Sequence, residues 1–537
     1  MLTDRSISYL LPELLLIAAG TLIYLLGAFR PTSRRLCSAL AVGSVVLTGL
    51  VLWKQYHGLY LPAGAAGPTL SVAVGGPLVA DLFGQYARAL SVVVGLVFVL
   101  ASLRPAKGVP APEYWGTLLM ATAGSMLVGS ARDLVLLFAG LELLSIPTYV
   151  LLYLGRRDVS GQEATVKYFY LSLLSSAFLL YGFSFLYGIA GSTDLGELRT
   201  VMSAGAESLA GARLLARVAL VLVFAGLGFR IAAVPFHFYA PDVYQGTSNG
   251  NAGFLAVFPK IAGFVALVRV LVIGLPGMES FGWRVAMVVA VLTMSVGNLL
   301  ALWQDNLRRL LAYSSIAHAG YMLVAMSVAL ATAQDSGEGG SFDALGALVF
   351  YLTVYVVATA GTFAALAYLG TSERQIDGVD ELAGVGRTHP WAGLALAVFM
   401  FSLAGIPPLA GFWGKLTIFG SALGVGQSGG TAALGPWFTG LAVIGVLNAA
   451  VAAAYYLRIV SVAYFRAPAT QLKAQGGWGA GAAMLASALL VVMIGCWPSP
   501  WVNGSLAASE AVRATAPAKK AAKLAAPAAI DTARTER

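Results

Sequence analysis

Two long apolar stretches of this chain are interrupted by proline and glycine, and these interruptions constrain the fold most. The first stretch is 227–246, LGFRIAAVPFHFYAPDVYQG, and the second is 402–415, SLAGIPPLAGFWGK. Broken backbone inside a bilayer needs polar partners or a cavity, and a charge at that depth is costly enough to indicate a function. Two interruptions, each with a cation close by, are typical of ion-translocating membrane proteins with internal repeats.

The composition indicates a polytopic membrane protein. The chain has 537 residues, of which 58% are hydrophobic and 11% charged, and its mean hydropathy is +0.81. A soluble domain carries about 25% charged residues, so these side chains could not cover an aqueous surface. The net charge of +9 lies in loops that flank apolar spans, which suits anionic lipid headgroups and does not indicate nucleic-acid binding.

Apolar segment length predicts an all-α fold with about fourteen transmembrane helices, since a spanning helix needs about 20 apolar residues. The seventh and twelfth of these helices contain the interruptions. We expect the first segment to be a retained helix, because no small-residue cleavage site follows it. The predicted spans are 7–29, 36–53, 78–102, 114–130, 133–154, 163–189, 218–238, 250–274, 284–303, 308–332, 343–370, 390–421, 437–461 and 478–498.

Two regions outside the spans are predicted to be irregular. The loop Tyr56–Gly76 is rich in glycine and proline, and the Ala/Pro/Lys-rich tail 501–537 has the composition of a disordered segment. Lysine and arginine in the short loops predict an N-terminus on the outer side, although the cations of the tail nearly cancel that bias.

The sequence contains no pattern that indicates a cofactor or a metal. Cys37 and Cys496 lie in apolar surroundings far apart in sequence, so we expect neither a disulfide nor a metal site. The chain has no Walker A, HExxH or CxxC motif and no GxGxxG after a strand. If redox energy drives this protein, the redox centres are expected in other chains.

Glu142 and Arg230 are charged residues within predicted spans. A carboxylate at the position of Glu142, in the middle of the fifth span, costs on the order of 3 kcal/mol on insertion scales, so it requires a cationic partner or a proton. Arg230 can fix that charge or organise water, but a guanidinium does not deprotonate in proteins and cannot itself pass a proton on. The structural alternative for both is a permanent ion pair; for Glu142 we favour a function.

Three lysines also lie within predicted spans. Removal from water favours the neutral amine, so we expect Lys260 to exchange a proton; the alternative is a lysine held charged by Glu142 alone. Lys415 follows the second interruption, where freed carbonyls can hold water, and its alternative is snorkelling to the interface. For Lys167, near the start of the sixth span, a functional role and a simple water-facing position are equally supported.

Two histidines lie in or beside predicted spans. Histidine titrates near neutrality, which suits a proton wire. His318 has two serines within a turn, so we favour proton transfer there, and we favour a structural role for His237.

Five segments together resemble the antiporter-like membrane subunits of respiratory complex I. The resemblance extends from about Pro12 to Arg466, and two runs within these segments, PFHFYAPDVYQG and LAYSSIAHAGYML, favour one of the paralogous subunits over the others. The segments are GLELLSIPTYVLLYL, EATVKYFYLSLLSSAFLLYG, VPFHFYAPDVYQG, NLRRLLAYSSIAHAGYML and SLAGIPPLAGFWGKL.

The resemblance implies two inverted five-helix repeats, roughly spans 4–8 and 9–13, with ionisable groups along the membrane midplane. The implied regions are N-terminal helices 1–3 (1–110), a first repeat with helices 4–8 (111–275), a second repeat with helices 9–13 (280–465), helix 14 (466–500) and the tail (501–537).

The resemblance also assigns positions to the charged residues. Glu142 falls on the family's fifth-helix glutamate, Lys167 on its sixth-helix lysine and Lys260 on its eighth-helix lysine. Lys415 falls on the twelfth-helix lysine that faces the outer exit. Arg230 falls where the family usually has the seventh-helix lysine that pairs with the glutamate, and this is a departure from the family pattern.

The function implied is a proton-translocating subunit of NADH:quinone oxidoreductase in the bacterial inner membrane. NADH, FMN, iron–sulfur clusters and quinone are then expected in partner chains, and none of them is expected in this chain. The expected neighbours in the membrane are the antiporter-like subunit M and the small subunits J and K, together with anionic lipids. One alternative is a subunit of a multi-chain cation/proton antiporter or of a membrane-bound hydrogenase. The other is a non-pumping structural spacer, in which Arg230 marks the loss of pumping.

Overall fold

The computed structural model confirms an all-α fold. Its only regular strands in the described residues are β1 (Ser71–Val72) and β2 (Ala80–Asp81), which pair antiparallel. The structure describes residues 4–29, 34–61, 69–72, 74–104, 109–156, 158–203, 210–276, 278–333, 343–370, 375–427, 431–468 and 474–514.

Nineteen α-helices form in these residues, and two of them continue into π-helical turns at Tyr56–Tyr60 and Val268–Gly274. The helices are α1 (Asp4–Phe29), α2 (Arg34–Gln55), α3 (Leu82–Ala101), α4 (Ala111–Gly129), α5 (Leu134–Gly155), α6 (Val159–Ala190), α7 (Leu195–Ser203), α8 (Ala210–Ile231), α9 (Tyr239–Gly246), α10 (Asn249–Leu267), α11 (Glu279–Leu302), α12 (Leu307–Ala331), α13 (Ala344–Leu369), α14 (Val385–Thr388), α15 (Pro390–Ala404), α16 (Ala410–Gly424), α17 (Gly435–Phe465), α18 (Gly477–Cys496) and α19 (Ser499–Ala514).

Twelve helices of the described residues are long and apolar enough to cross a membrane. Each span predicted from the sequence overlaps one or two helices of the structure, and the polytopic class is therefore confirmed. The total of fourteen spans, the two inverted repeats and the orientation in the membrane stay predictions.

Both predicted interruptions are present, and each begins at a residue in the left-handed region. Helix α8 ends at Ile231 and is followed by Ala232 with φ of 57°, and helix α15 ends at Ala404 and is followed by Gly405 with φ of 90°. A left-handed residue directly after the last turn is a common way to end a helix. The chain becomes helical again only at α9 and α16.

Three helices form the centre of the bundle. Nearly all residues of α10, α12 and α13 are buried within the chain, whereas α1, α2, α6 and α17 expose many large apolar side chains. A helix that is apolar on all sides belongs in the interior of a membrane bundle. Lys260 on α10 and His318 on α12 therefore lie far from the lipid-facing surface.

Buried ion pairs attach the N-terminal helices to this core. Arg88 on α3 pairs with Glu13 on α1 at 2.7 Å and stacks over Tyr9. At the start of α3, Asp81 pairs with Arg269, which lies in the π-helical end of α10. Each pair joins segments that are distant in sequence, so it fixes helix packing.

The predicted disorder of the tail is wrong for residues 501–514, which belong to helix α19 and pack against α3 and α13. The alanine-rich composition contains an apolar stripe at helical spacing, formed by Ala508, Ala511 and Val512, and all three side chains are buried. The rest of the tail, 515–537, lies outside the described residues. The loop Tyr56–Gly76 is likewise only partly irregular, since its first five residues extend α2 as a π-helix.

The second interruption leads to a stability prediction. In Gly405→Ala the new residue would adopt a left-handed φ, and its Cβ would lie 2.9 Å from Cδ of Lys415. We expect a cost of about 1–2 kcal/mol in the free energy of unfolding, measured as a lower thermal midpoint of the purified protein in detergent. Gly440→Ala is the control, because its Cβ would meet nothing within 4 Å. Equal midpoints for the two variants would contradict the prediction.

Candidate proton-transfer site

Glu142 and Arg230 form an ion pair between α5 and α8. Nη2 of Arg230 lies 2.8 Å from Oε1 of Glu142, and the two side chains are 2% and 23% exposed. The arginine is thus enclosed in the bundle while the carboxylate reaches its outer face. Because both charges are paired, neither is left alone in an apolar environment.

Three serine hydroxyls complete the surroundings of the guanidinium. Ser176 accepts a hydrogen bond from Nη2 of Arg230 at 3.1 Å and donates one to Glu142 at 2.6 Å. Nη1 of Arg230 donates to Ser145 and, at 3.4 Å, to Ser172. A hydroxyl can accept from a cation and donate to an anion at once, so these serines hold the ion pair in one geometry.

Lys260 is held by neutral groups. Its Nζ donates to Oγ of Ser315 at 2.5 Å and lies 5.7 Å from the ring centroid of Tyr355, whose hydroxyl donates to the same serine at 2.8 Å. Among the residues that the structure describes, no carboxylate forms an ion pair with Lys260. The alternative of a lysine held by Glu142 is therefore not what the structure shows, since Glu142 pairs with Arg230.

His318 is hydrogen-bonded at both ring nitrogens. Nδ1 lies 2.6 Å from the hydroxyl of Tyr351 and Nε2 lies 2.8 Å from the hydroxyl of Tyr456, which also contacts Ser314. A neutral imidazole donates from one nitrogen and accepts at the other, and a phenol can do either. This arrangement accommodates both tautomers of His318, which is what a proton relay requires.

Lys415 occupies the second interruption itself. Its Nζ donates to the backbone carbonyls of Leu403 at 3.0 Å and Ala404 at 2.7 Å, and lies 5.2 Å from the ring centroid of Tyr321. These carbonyls belong to the last turn of α15 and have lost their helical partners. The side chain is buried, so snorkelling to the interface does not describe it.

His318 lies between the two lysines. Its ring is 5.1 Å from that of Tyr355, beside Lys260, and 5.7 Å from that of Tyr321, beside Lys415. The three titratable groups therefore form a series across α10, α12 and α16. The aromatic rings between them are in contact without a direct hydrogen bond from lysine to histidine.

Lys167 lies apart from this series, at the surface. It is 40% exposed and pairs with Glu163 at 2.7 Å and with Asp242 at 3.0 Å. Arg309 also pairs with Asp242, at 2.6 Å. Burial acts to raise the pKa of Asp242, but the hydrogen bonds from Lys167 and Arg309 outweigh it and hold that pKa below its usual value. Lys167, Glu163 and Asp242 border a polar cavity of about 370 Å³.

His237 lies in the first interruption, partly buried, and its Nδ1 has no hydrogen-bond partner in the described part of the chain. None of the contacts that the structure shows for His318 is with His237. Arg308, the first residue of the predicted span 308–332, is buried at the start of α12 and pairs with Asp377 at 2.7 Å.

Sequence reasoning missed the uncharged partners of the site. Lys260 and His318 are held by hydroxyl groups of serines and tyrosines from α12 and α13 and of Tyr456 from α17, and the ring of Tyr321 lies beside Lys415. Hydropathy averages treat these residues as ordinary members of apolar spans. A count of hydroxyl side chains in each predicted span could have drawn attention to them. The hydroxyl partners are Ser314, Ser315, Tyr321, Tyr351, Tyr355 and Tyr456.

Comparison with known proteins supports one family. The family described as NADH:quinone oxidoreductase/Mrp antiporter, TM, matches residues 131–439. This chain belongs to that family. The matched region includes all six candidate residues, from Glu142 to Lys415, and the resemblance to antiporter-like subunits of complex I is confirmed. With its membrane-spanning helices, this member of the family is a multi-pass membrane protein.

Two relatives of this chain align with almost all of it. The NADH-quinone oxidoreductase subunit N of Rhodospirillum rubrum is 37% identical over 506 residues, which is 94% of this chain and 96% of that protein. The F(420)H(2) dehydrogenase subunit N of Methanosarcina mazei is 34% identical over 522 residues, 94% of this chain and 99% of that protein.

Solved structures share the fold. A chain of respiratory complex I from Thermus thermophilus with bound aureothin is 33% identical, with a TM-score of 0.73 and coverage of 92% of this chain and 98% of that chain. A chain of the Mrp complex from Dietzia has a TM-score of 0.79 at 21% identity, covers 96% of this chain and 98% of that chain, and shows the fold alone.

The paired charges on α5 and α8 lead to a second prediction. Arg230→Leu leaves the Glu142 carboxylate without its cation, so we expect a loss of about 3 kcal/mol in the free energy of unfolding. This value is at the lower end of the usual range for a broken buried pair, because the Glu142 side chain keeps some exposure to solvent. Removing both charges, in Arg230→Leu with Glu142→Gln, should restore part of that loss. Thermal unfolding of the single and double variants measures the difference. A double variant as unstable as the sum of the singles would contradict the prediction.

Proposed function

We propose that this chain is a proton-translocating membrane-arm subunit of a bacterial NADH:quinone oxidoreductase, subunit N. The observation that carries the proposal is the series Lys260, His318 and Lys415 inside a bundle with two interrupted helices. The family membership and the names of the most similar relatives support the same assignment.

In the proposed mechanism, quinone reduction in partner chains changes the electrostatic field at the Glu142–Arg230 pair. The carboxylate is the more exposed member, so it is the one that a neighbouring subunit can attract. Two unit charges 4 Å apart interact by about 4 kcal/mol at an effective dielectric constant of 20, while moving one charge against 100 mV costs about 2.3 kcal/mol. A rearrangement of the pair is therefore large enough to gate proton movement by changing the proton affinity of Lys260.

The proton then moves from Lys260 to His318 and on to Lys415. Ser315 accepts a hydrogen bond from Lys260 and another from the hydroxyl of Tyr355, and water bridges the ring contacts that separate the three groups. Lys415 releases the proton outward, its ammonium being replaced at the α15 carbonyls by water. Arg230 stays charged throughout and acts only through its field.

Lys167 serves the water-facing end of the proposed path. Its partners Glu163 and Asp242 border the polar cavity between α6, α9 and the start of α12. Charged groups of both signs at a cavity mouth hold water and exchange protons with it. We therefore assign Lys167 to proton uptake rather than to the buried series.

This chain carries no redox cofactor in the proposed complex. NADH, FMN, iron–sulfur clusters and quinone belong to partner subunits, and the direct neighbours are the antiporter-like subunit M and the small subunits J and K. Anionic lipids surround the assembly, and no nucleic acid takes part.

A second candidate function is the same pump in a complex with a different electron donor, and the 34% identity to the F(420)H(2) dehydrogenase subunit N favours it. Copurification from native membranes separates the two. Partner chains with flavin and iron–sulfur absorbance that oxidise NADH support the first, and oxidation of another donor supports the second.

The exit role of Lys415 leads to a third prediction. Lys415→Ala in the assembled complex should lower the number of protons pumped per NADH in reconstituted vesicles, because the α15 carbonyls lose their exchangeable partner. Lys415→Arg is the matched control, since arginine keeps the charge but does not release a proton, and it should lower the ratio equally. Undiminished protons per NADH in both variants would exclude the exit role.

The gating role of Glu142 leads to a fourth prediction, which separates a pump from a structural spacer. In Glu142→Ala, once assembly is confirmed, a pump should lose turnover because the movable charge of the pair is gone. Arg230→Lys keeps a cation opposite the glutamate and should retain most of the activity. A spacer would give wild-type turnover in both variants.

A further inference from the structure

Asn298 is a buried amide at a junction of the site. It lies on α11 and is 0% exposed. Its Nδ2 donates to the hydroxyl of Tyr321 at 2.9 Å and to Oδ1 of Asn448 at 3.1 Å, while its Oδ1 accepts from the hydroxyl of Tyr455 at 3.0 Å. Three helices, α11, α12 and α17, thus meet at one side chain.

The inner partners of Asn298 are two tyrosines, one beside the relay groups and one behind Tyr456. The ring of Tyr321 lies beside both Lys415 and His318. The ring of Tyr455 is 4.5 Å from that of Tyr456, whose hydroxyl binds Nε2 of His318. A change at Asn298 therefore reaches both groups of the second half of the series through one intervening ring.

The outer end of the same network reaches the surface of the bundle. Nδ2 of Asn448 donates to the hydroxyl of Ser295 at 3.3 Å, and both residues are partly exposed. Exposed apolar side chains surround them, among them Leu299 and Leu447. Polar side chains consequently join the relay to the outer face of α11 and α17 near mid-span.

Two amides occupy the middle of this connection. A hydroxyl or an imidazole can accept one proton while donating another, whereas the amide of asparagine separates these functions, with donors on nitrogen and acceptors on oxygen. Tyr321 accepts from Asn298 through its oxygen, so this hydrogen bond does not use the proton of its hydroxyl. Asn298 holds the tyrosines by hydrogen bonds and does not pass a proton outward.

We propose that Asn298 is a positioning residue that orients Tyr321 and Tyr455 beside Lys415 and His318 and prevents protons from escaping sideways through Asn448. The inference rests on the proposed pumping function. Through Tyr321 the amide sets the ring beneath the ammonium, and through Tyr455 it sets the ring beside Tyr456.

The test compares two isosteric variants, Asn298→Asp and Asn298→Leu, in the assembled complex in vesicles. The carboxyl group of the aspartate can bind and release a proton, so Asn298→Asp should raise the passive proton leak of resting vesicles several-fold and make it depend on pH. Leucine offers no exchangeable proton, so Asn298→Leu should stay as tight as the wild type. Its turnover should fall about tenfold, which is about 1.4 kcal/mol and is of the size expected for losing the two hydrogen bonds to Tyr321 and Tyr455.

Several results of this comparison would overturn the role proposed for Asn298. Wild-type leak and turnover in both variants would exclude any role for Asn298, and an equal leak in both would mean a packing defect rather than a block by the amide. If the complex does not assemble with these variants, Tyr455→Phe and Asn448→Asp test the orienting and the blocking role separately. They should slow turnover and raise the leak, respectively, and wild-type behaviour of both would also overturn the inference.

The experiments distinguish a failure of the proposed pumping function from a failure of the role proposed for Asn298. If Lys415→Ala pumps normally, the pumping role itself is wrong. If Lys415→Ala loses pumping while Asn298→Asp stays tight and Asn298→Leu keeps full turnover, only the role of Asn298 is wrong.

Discussion

An ammonium group removed from water needs hydrogen-bond acceptors, and the interruption between α15 and α16 provides them to Lys415. The last carbonyls of α15 have no helical donors, and the lysine occupies two of them. The broken backbone and the buried cation therefore satisfy each other. The acceptors are neutral, so the site holds Lys415 without the strong stabilisation of charge that a carboxylate would give.

Arg230, in the first interrupted segment, is stabilised in a different way from Lys415. Arg230 is paired with Glu142 and enclosed by three serines, so its charge is permanent. Lys260 and Lys415 have only hydroxyl, carbonyl and aromatic partners in the described residues. In the proposed mechanism the Glu142–Arg230 pair carries the electrostatic signal and the lysines exchange the proton. That mechanism does not require Arg230 to titrate, because a guanidinium can act through its field alone.

The neutral side chains between these groups have distinct chemistry. Tyrosine rings lie between Lys260, His318 and Lys415. His318 is hydrogen-bonded to two phenols that can both donate and accept, whereas asparagines connect the series to the outer surface. Pumping requires both properties, since a proton must move along one direction and be stopped in the others. The buried pairs Glu13–Arg88 and Asp81–Arg269 lie outside this series and hold the N-terminal helices in place.

Sequence alone determined the membrane class, the two interruptions and the presence of Glu142, Lys260, His318 and Lys415 within apolar spans, because hydropathy and proline act locally along the chain. Only the tertiary structure decided the partners: Glu142 lies with Arg230 and not with Lys260, and Lys167 lies in a surface cluster. These contacts, like the tyrosines around His318 and the packing of α19, join segments far apart in sequence. Their formation depends on which helix faces meet, and no local pattern encodes that.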